Sequence, residues 1–197
     1  MTMSVILRPA RAADAVDIHR LIAANLETGH LLPRTLEDVA QNIARFVVAL
    51  ANDAVVGCAE LAPLSGDVAE VRSLVVGEAF RGRRIGQKLV AHLAAAATGR
   101  GFSTLCAFAH EPSHFVRMGF TIVPHIWVPE KIEHDCTSCA LFRRCGQHAV
   151  MLPLRAGARV GPERPAAGIH GTRPSSRRLA LRPVSEADPD SVEAIPA

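Results

Sequence analysis

Tyrosine is missing from this chain altogether, and aromatic residues make up only 4% of its 197 positions, with a single tryptophan. A surface that stacks nucleic-acid bases needs more aromatic side chains than that. Strong charge is missing too: the net charge is +3 and the isoelectric point near 8.8. That balance is too mild to argue for nucleic acid as a partner. No apolar run approaches the roughly 18 residues of a membrane span, so no membrane partner is expected. The opening residues lack the charged and long apolar regions of a secretory signal. No internal repeat is visible. The five cysteines are an odd number in a chain long enough to need no disulfide staples. Together these absences predict a cytoplasmic protein with reduced thiols.

What is present divides into two parts. Hydrophobic residues make up 49% of the whole chain, enough for a core; residues 1–154 show clear periodicity, and residues 155–197 turn rich in Pro, Gly, Ala and Arg without any period. That tail holds seven Arg against five acids and reads as disordered and solvated. In the first part "VILRPA" is a short strand, followed by a helix from about Ala12 to Leu26 with Val16, Leu21, Ile22 and Leu26 on one face. Thr35 suits the N-cap of a second helix, with Asp38 as an imperfect capping box. "FVVAL" and "AVVGCAELA" flank "AND", a hairpin signal. "AEVRSLVV" is a strand, and Ile85, Leu89 and Leu93 recur at helical spacing between Gly86 and about Thr98. "FSTLCAFA", "GFTIVPHIWV" and "HAVMLPL" read as later strands, with "PSHFVRM" a short helix. Strands outnumber helices and hairpins mix with crossovers, which is the pattern of an α+β domain.

The stretch most charged with chemistry is "AEVRSLVVGEAFRGRRIGQKLV". A strand, an Arg/Gly-rich loop and a helix follow one another, so backbone N–H groups and a helix N-terminus converge where a phosphate can sit. Arg81, Arg83 and Arg84 add positive charge, and Gly82 and Gly86 clear space for close approach. About 30 residues on, "HFVRMGF" ends a short helix on Gly119.

In these two motifs the chain resembles the GNAT family of acyl-CoA N-acyltransferases, whose signature is a strand, [R/Q]-x-x-G-x-[G/A] and a helix. Here Arg81 and Gly86 match, Arg84 stands where Gly is usual, and Phe115 to Phe120 match the later F-x-x-x-G-F. The likeness runs over roughly residues 3–154. It implies a mixed central sheet flanked by helices, and an enzyme that uses acetyl-CoA. "LLPRTLEDV", "AEVRSLVV" and "VPEKIEHDCTSCALFRRC" narrow it. They are similar to short bacterial N-acetylglutamate synthases, amino-acid N-acetyltransferases of arginine biosynthesis. Another small amine, or a protein N-terminus, is the alternative acceptor, and a catalytically weak acyl-CoA-binding regulator is the alternative outside enzymes. A homodimer is compatible with either.

The resemblance implies roles for particular residues. The backbone of Leu74, Val75 and Val76 would pair with the pantetheine arm, and an N–H there would stabilise the reaction's oxyanion. Arg81, Gly82, Arg83, Arg84, Ile85, Gly86 and Gln87 would hold the pyrophosphate. Glu70 stands where several members carry a general base. In a regular strand it shares a face with Arg72, whose pairing would weaken that base. A relaying water, or an Arg72 taken up by substrate carboxylate, relieves the conflict. Two carboxylates on glutamate call for cations, for which Arg34, Arg72 and Lys131 are the candidates. The tyrosine that commonly protonates the leaving thiolate is replaced by Val116. The segment "HDCTSCALFRRCGQH" presents Cys136, Cys139 and Cys145. No metal is assigned to it: one close C-x2-C pair falls short of the two that structural zinc usually wants, so a thiol-bearing loop over the substrate side is expected, with zinc as the alternative. Cys58 and Cys106 sit within apolar strands and read as core.

Overall fold

Alternation along "FVVALA" decides how the layers stack. A computed structural model of the chain describes residues 4–26 and 31–158. In it, strand β2 (Phe46–Ala51) is buried along its whole length. Phe46, Val48 and Leu50 face one side of the sheet, and Val47, Ala49 and Ala51 the other. Against the first side packs α1 (Ala15–Ala23), through Ala15, Ile18 and Ile22, with Val39 of α2 (Leu36–Gln41). Against the second packs α3 (Ile85–Gly99), through Ile85, Leu89, Val90, Leu93 and Ala97. Each fully buried Ile or Leu here contributes about 1.5–3 kcal/mol. A third cluster, around Val123, Val128 and Met151, closes the end of the domain.

The sheet has seven strands in the order β1-β2-β3-β4-β5-β7-β6. Besides β2 they are β1 (Val5–Pro9), β3 (Ala54–Pro63), β4 (Val68–Val76), β5 (Thr104–Ala109), β6 (Thr121–Val123) and β7 (His148–Pro153). All neighbours are antiparallel except β4 and β5, joined in parallel by the α3 crossover. Asn52 and Asp53 both hold positive φ, 48° and 63°, the type I′ geometry that the "AND" hairpin needs. The remaining helices are short: α4 (Ser113–Val116) and α5 (Pro129–Lys131), with proline in the first turn of α5. No described helix is long and apolar enough to cross a membrane.

Several expectations are corrected in detail. The buried face of α1 runs through Ile18, and Val16 is half exposed. Thr35 does cap α2, its Oγ1 accepting from Asp38 N–H at 3.1 Å, but the Asp38 carboxylate turns to Arg34 and Asn42 instead of closing a capping box. "GFTIVPHIWV" yields only the three-residue β6, because Pro124 ends the ladder and His125–Trp127 winds into a 3-10 turn. Most of the expected tail, from residue 159 on, lies outside the described residues; Arg155 still ties back, its guanidinium donating to the Gly101 carbonyl.

Candidate active site

The parallel ladder between β4 and β5 runs from Val68–Thr104 to Val71–Ala107 and ends there. Beyond it β4 stays with β3 while β5 stays with β7, as far as Ala109 opposite His148. The sheet therefore opens between its two central strands. At the point of opening, the β3–β4 register slips between Cys58 and Glu60, and Ser73 takes φ 48°. Such a bulge bends a strand and re-aims its groups. The opening is the floor of a cleft of about 1050 Å³.

One half of the cleft is backbone and loop. Gly77 N–H donates to Val56 O at 2.9 Å, toward β3. The Val76 carbonyl therefore points the opposite way, and Arg81 Nε donates to it at 3.2 Å. By the alternation of an antiparallel ladder, Val75 turns its backbone groups toward Cys58, and Leu74 and Val76 present theirs to the cleft. That narrows the expected three-residue backbone contact to two. Arg81 Nη2 also donates to Oδ1 of the buried Asn25 at 2.7 Å, so α1 fixes this arginine in place. Arg84, at φ 60°, is the N-cap of α3 and supplies no side-chain cap. The N–H groups of Ile85, Gly86 and Gln87 in that first turn have no intrahelical acceptor. With Gly82 at φ 76°, these residues form a basic, donor-rich turn of the right chemistry for a pyrophosphate. Arg83 departs from the expected set. It does not line the cleft, and its guanidinium lies over the Phe80 ring at 5.3 Å.

The other half is a network of charges. Glu70 is 3% exposed. Lys131 Nζ donates to its Oε1 at 2.7 Å and Oε2 at 3.0 Å, and Arg72 Nε donates to Oε2 at 2.6 Å. Both carboxylate oxygens of the expected base are thus occupied by cations. Asp135 closes the ring, accepting from Arg72 Nη2 and, at 2.8 Å, from Lys131 Nζ. Partial burial pushes the Asp135 carboxyl up, but the Lys131 hydrogen bond and the charges of Lys131 and Arg72 outweigh it and hold it below its ordinary value. Beside this ring lies an open chain of charges. Arg34 Nη1 donates to Glu60 Oε2 at 2.9 Å, Arg34 Nε donates to Asp38, and Arg45 Nη1 stands 3.9 Å from Glu60 Oε1. Arg34 and Arg72 stay protonated, since neighbouring carboxylates outweigh the burial that opposes their charge.

So Arg34, Glu70, Arg72 and Lys131, picked from scattered segments, meet in one cleft. Sequence reasoning missed Asn25, Arg45, Glu60 and Asp135. Glu60 left a signal, as the one carboxylate inside the apolar run "GCAELAP", and Asp135 follows Lys131 by one helical turn. The cysteine segment contributes Asp135, Ser138, Cys139 and Gln147 to the lining. Among the described residues no group of three or more His, Cys, Asp or Glu side chains is arranged to hold a metal ion. Val116 does not line the cleft and is 45% exposed, so nothing at that position meets a leaving group. Burial and the charge of Glu60 push the Cys58 thiol up to about 12.

Residues 15–120 match the acetyltransferase (GNAT) family. An uncharacterized N-acetyltransferase of Chlorobaculum tepidum is 33% identical over 75% of this chain and 96% of its own length. An amino-acid acetyltransferase of Shewanella oneidensis is 33% identical over 64% of this chain, which spans only 28% of that protein. Among solved structures, N-acetylglutamate synthase from Neisseria gonorrhoeae, complexed with coenzyme A and N-acetyl-glutamate, superposes with a TM-score of 0.70 at 26% identity, over 79% of this chain and 36% of the other. A Mycobacterium tuberculosis protein solved in complex with CoA shares the fold over 75% of this chain and 98% of its own, with a TM-score of 0.65 at 24% identity.

Proposed function

Because the chain belongs to the acetyltransferase (GNAT) family and takes its acetyl group from acetyl-CoA, we propose that its acceptor is the α-amine of an amino acid bearing a second carboxylate, L-glutamate first. The observation that carries this reading is the convergence of Arg34, Arg72 and Lys131, with Arg45, in the acceptor half of one cleft. Two arginines are the best bidentate partners for two carboxylates. The names of the Shewanella and Neisseria relatives support the same direction. With that acceptor the reaction would serve arginine biosynthesis in the cytoplasm.

Acetyl-CoA supplies a thioester carbonyl. The Arg81–Gln87 turn would bind its pyrophosphate, and Leu74 and Val76 would align its arm along β4. The acceptor's ammonium must lose a proton before it attacks, and Glu70 is the carboxylate we assign to take it. Its oxygens are engaged by Arg72 and Lys131, but a carboxylate oxygen has more than one lone pair, so a water relaying the acceptor's proton can still meet it. The leaving thiol has an ordinary pKa near 8.5 and departs as thiolate without a strong acid, which suits a chain lacking tyrosine.

The test is a panel of amines assayed by free thiol release from acetyl-CoA. L-Glutamate should give the fastest release, and a faster monocarboxylate or diamine overturns the assignment. Glu70→Gln should lower kcat about 100-fold with acetyl-CoA KM unchanged. Unchanged kcat with a raised acceptor KM would instead make Glu70 an anchor for Arg72 and Lys131.

A further inference from the structure

The charges of the acceptor half divide by depth. Glu60 and Glu70 are 1% and 3% exposed. The side chains of Asp38 and Asp135 are 40% and 34% exposed. Each arginine splits its guanidinium between one of each kind. Arg34 gives Nη1 to Glu60 and Nε to Asp38, and Arg72 gives Nε to Glu70 and Nη2 to Asp135. The arrangement repeats in sequence: Asp38 follows Arg34 by four residues, and Asp135 follows Lys131 by four. The buried glutamates are fixed counter-charges. The half-exposed aspartates occupy the faces of the cations that an incoming carboxylate must use.

We propose that Asp38 and Asp135 are resident stand-ins for the acceptor's two carboxylates, displaced into solvent when the acceptor binds. This rests on the dicarboxylate reading above. Arg34, Arg45, Arg72 and Lys131 balance Asp38, Glu60, Glu70 and Asp135 one for one. A dianion added on top of that set would meet a neutral surface, whereas a dianion that replaces the two aspartates keeps every cation paired. The aspartates are the members of these pairs that solvent can take up: their side chains are 40% and 34% exposed, against 15% for Arg34 and 25% for Arg72. Acceptors with a single carboxylate displace one stand-in and leave the other in place, so the device discriminates by carboxylate number. On the Asp135 side, release has a mechanical consequence. Asp135 sits in the π-helical turn Ile132–Cys136, and the segment just beyond it places Ser138 and Cys139 on the cleft. Loss of the Arg72 and Lys131 contacts frees that segment to move away from the opening.

The probe is glutarate, a dicarboxylate with no amine to acetylate, titrated calorimetrically into the CoA-bound chain. A resident anion that holds the cations nine-tenths of the time weakens apparent affinity about tenfold. Asp135→Asn and Asp38→Asn are therefore each expected to bind glutarate about tenfold more tightly than the wild type. Equal or weaker binding by both variants overturns the proposal. The wild-type chain gives an independent reading: glutarate should accelerate iodoacetamide modification of Cys139, and an unchanged rate overturns displacement at Asp135. The acceptor assignment fails differently. Tighter glutarate binding by the variants, with no thiol release on L-glutamate, leaves the stand-ins and removes glutamate. Thiol release on L-glutamate without tighter binding removes the stand-ins and leaves glutamate. No glutarate binding by any form removes the stand-ins, and thiol release on L-glutamate alone then decides the acceptor.

Discussion

Glu60 places a carboxylate, 1% exposed, in the middle of a strand otherwise made of apolar residues. Its charge is tolerated there because Arg34 meets one oxygen at 2.9 Å and Arg45 approaches the other at 3.9 Å. Opposite it in the ladder stands Arg72, so Glu60 joins this chain of charges to the ring around Glu70. Removing one member of a buried ion pair strands the other, which costs about 3–5 kcal/mol. Glu60→Gln should therefore lose about 3 kcal/mol in urea denaturation, more than any neutral substitution on the exposed face of α2. That residue shows what a sequence leaves unsaid. A lone Glu among apolar neighbours is visible, but which cations answer it depends on Arg34 and Arg45 arriving from a different part of the chain. Asn25 left no such trace: its role follows from the end of α1 meeting Arg81, a tertiary contact that no local pattern encodes.

At the scale of elements, the start of α3 shows the opposite case. The family pattern puts glycine where this chain has Arg84, and the reason is the backbone: φ there is +60°. A side chain in that region costs about 1–2 kcal/mol. Arg84→Gly should raise stability by about 1 kcal/mol, seen as a melting temperature higher by about 2–4 °C. The strand–turn–helix, the Asn52–Asp53 hairpin and the Thr35 cap were legible because each is written in neighbouring residues. The cysteine segment was legible only in part. Its thiols were visible, but its place over the cleft depends on Asp135 reaching Arg72 and Lys131. Its thiols should behave unlike those of the strands. Burial raises Cys136 as well, but Cys58 and Cys106 lie fully inside the sheet, where burial and the charges of Glu60 and Glu70 push both thiols well up. Mass spectrometry after iodoacetamide at pH 8 should therefore find label on Cys136, Cys139 and Cys145, and on Cys58 and Cys106 only after unfolding.

Over the whole molecule, the order of strands was not readable, because the pairing of β5 with β7 instead of β6 is decided by packing across distant segments. The class was readable, since alternation and helical period are local. The same long-range contacts set how the fold responds to acid. Asp14, at the entry to α1, is held by the Arg8 fork of β1, with Nη1 to Oδ2 at 2.7 Å and Nη2 to Oδ1 at 2.9 Å, and by Arg11 N–H at 2.6 Å. The Arg8 hydrogen bonds lower its carboxyl below the ordinary value of 3.8, with burial opposing and losing. Asp135 lies below its ordinary value as well. A carboxylate whose pKa is lower in the folded chain than in the unfolded one stabilises the fold fully above the unfolded pKa. That stabilisation fades as the pH falls through the interval down to the folded pKa, because the unfolded chain takes up protons first. Stability should thus be flat near neutrality and decline below about pH 4. Asp14→Asn cannot titrate. It should be less stable than the wild type at pH 7 and show a shallower decline below pH 4, so that the gap between the two narrows from pH 7 through pH 4 to pH 2. Urea denaturation at the three pH values checks the sign, and a constant gap between the two forms across that range would mean that Asp14 acts through shape and not through its charge.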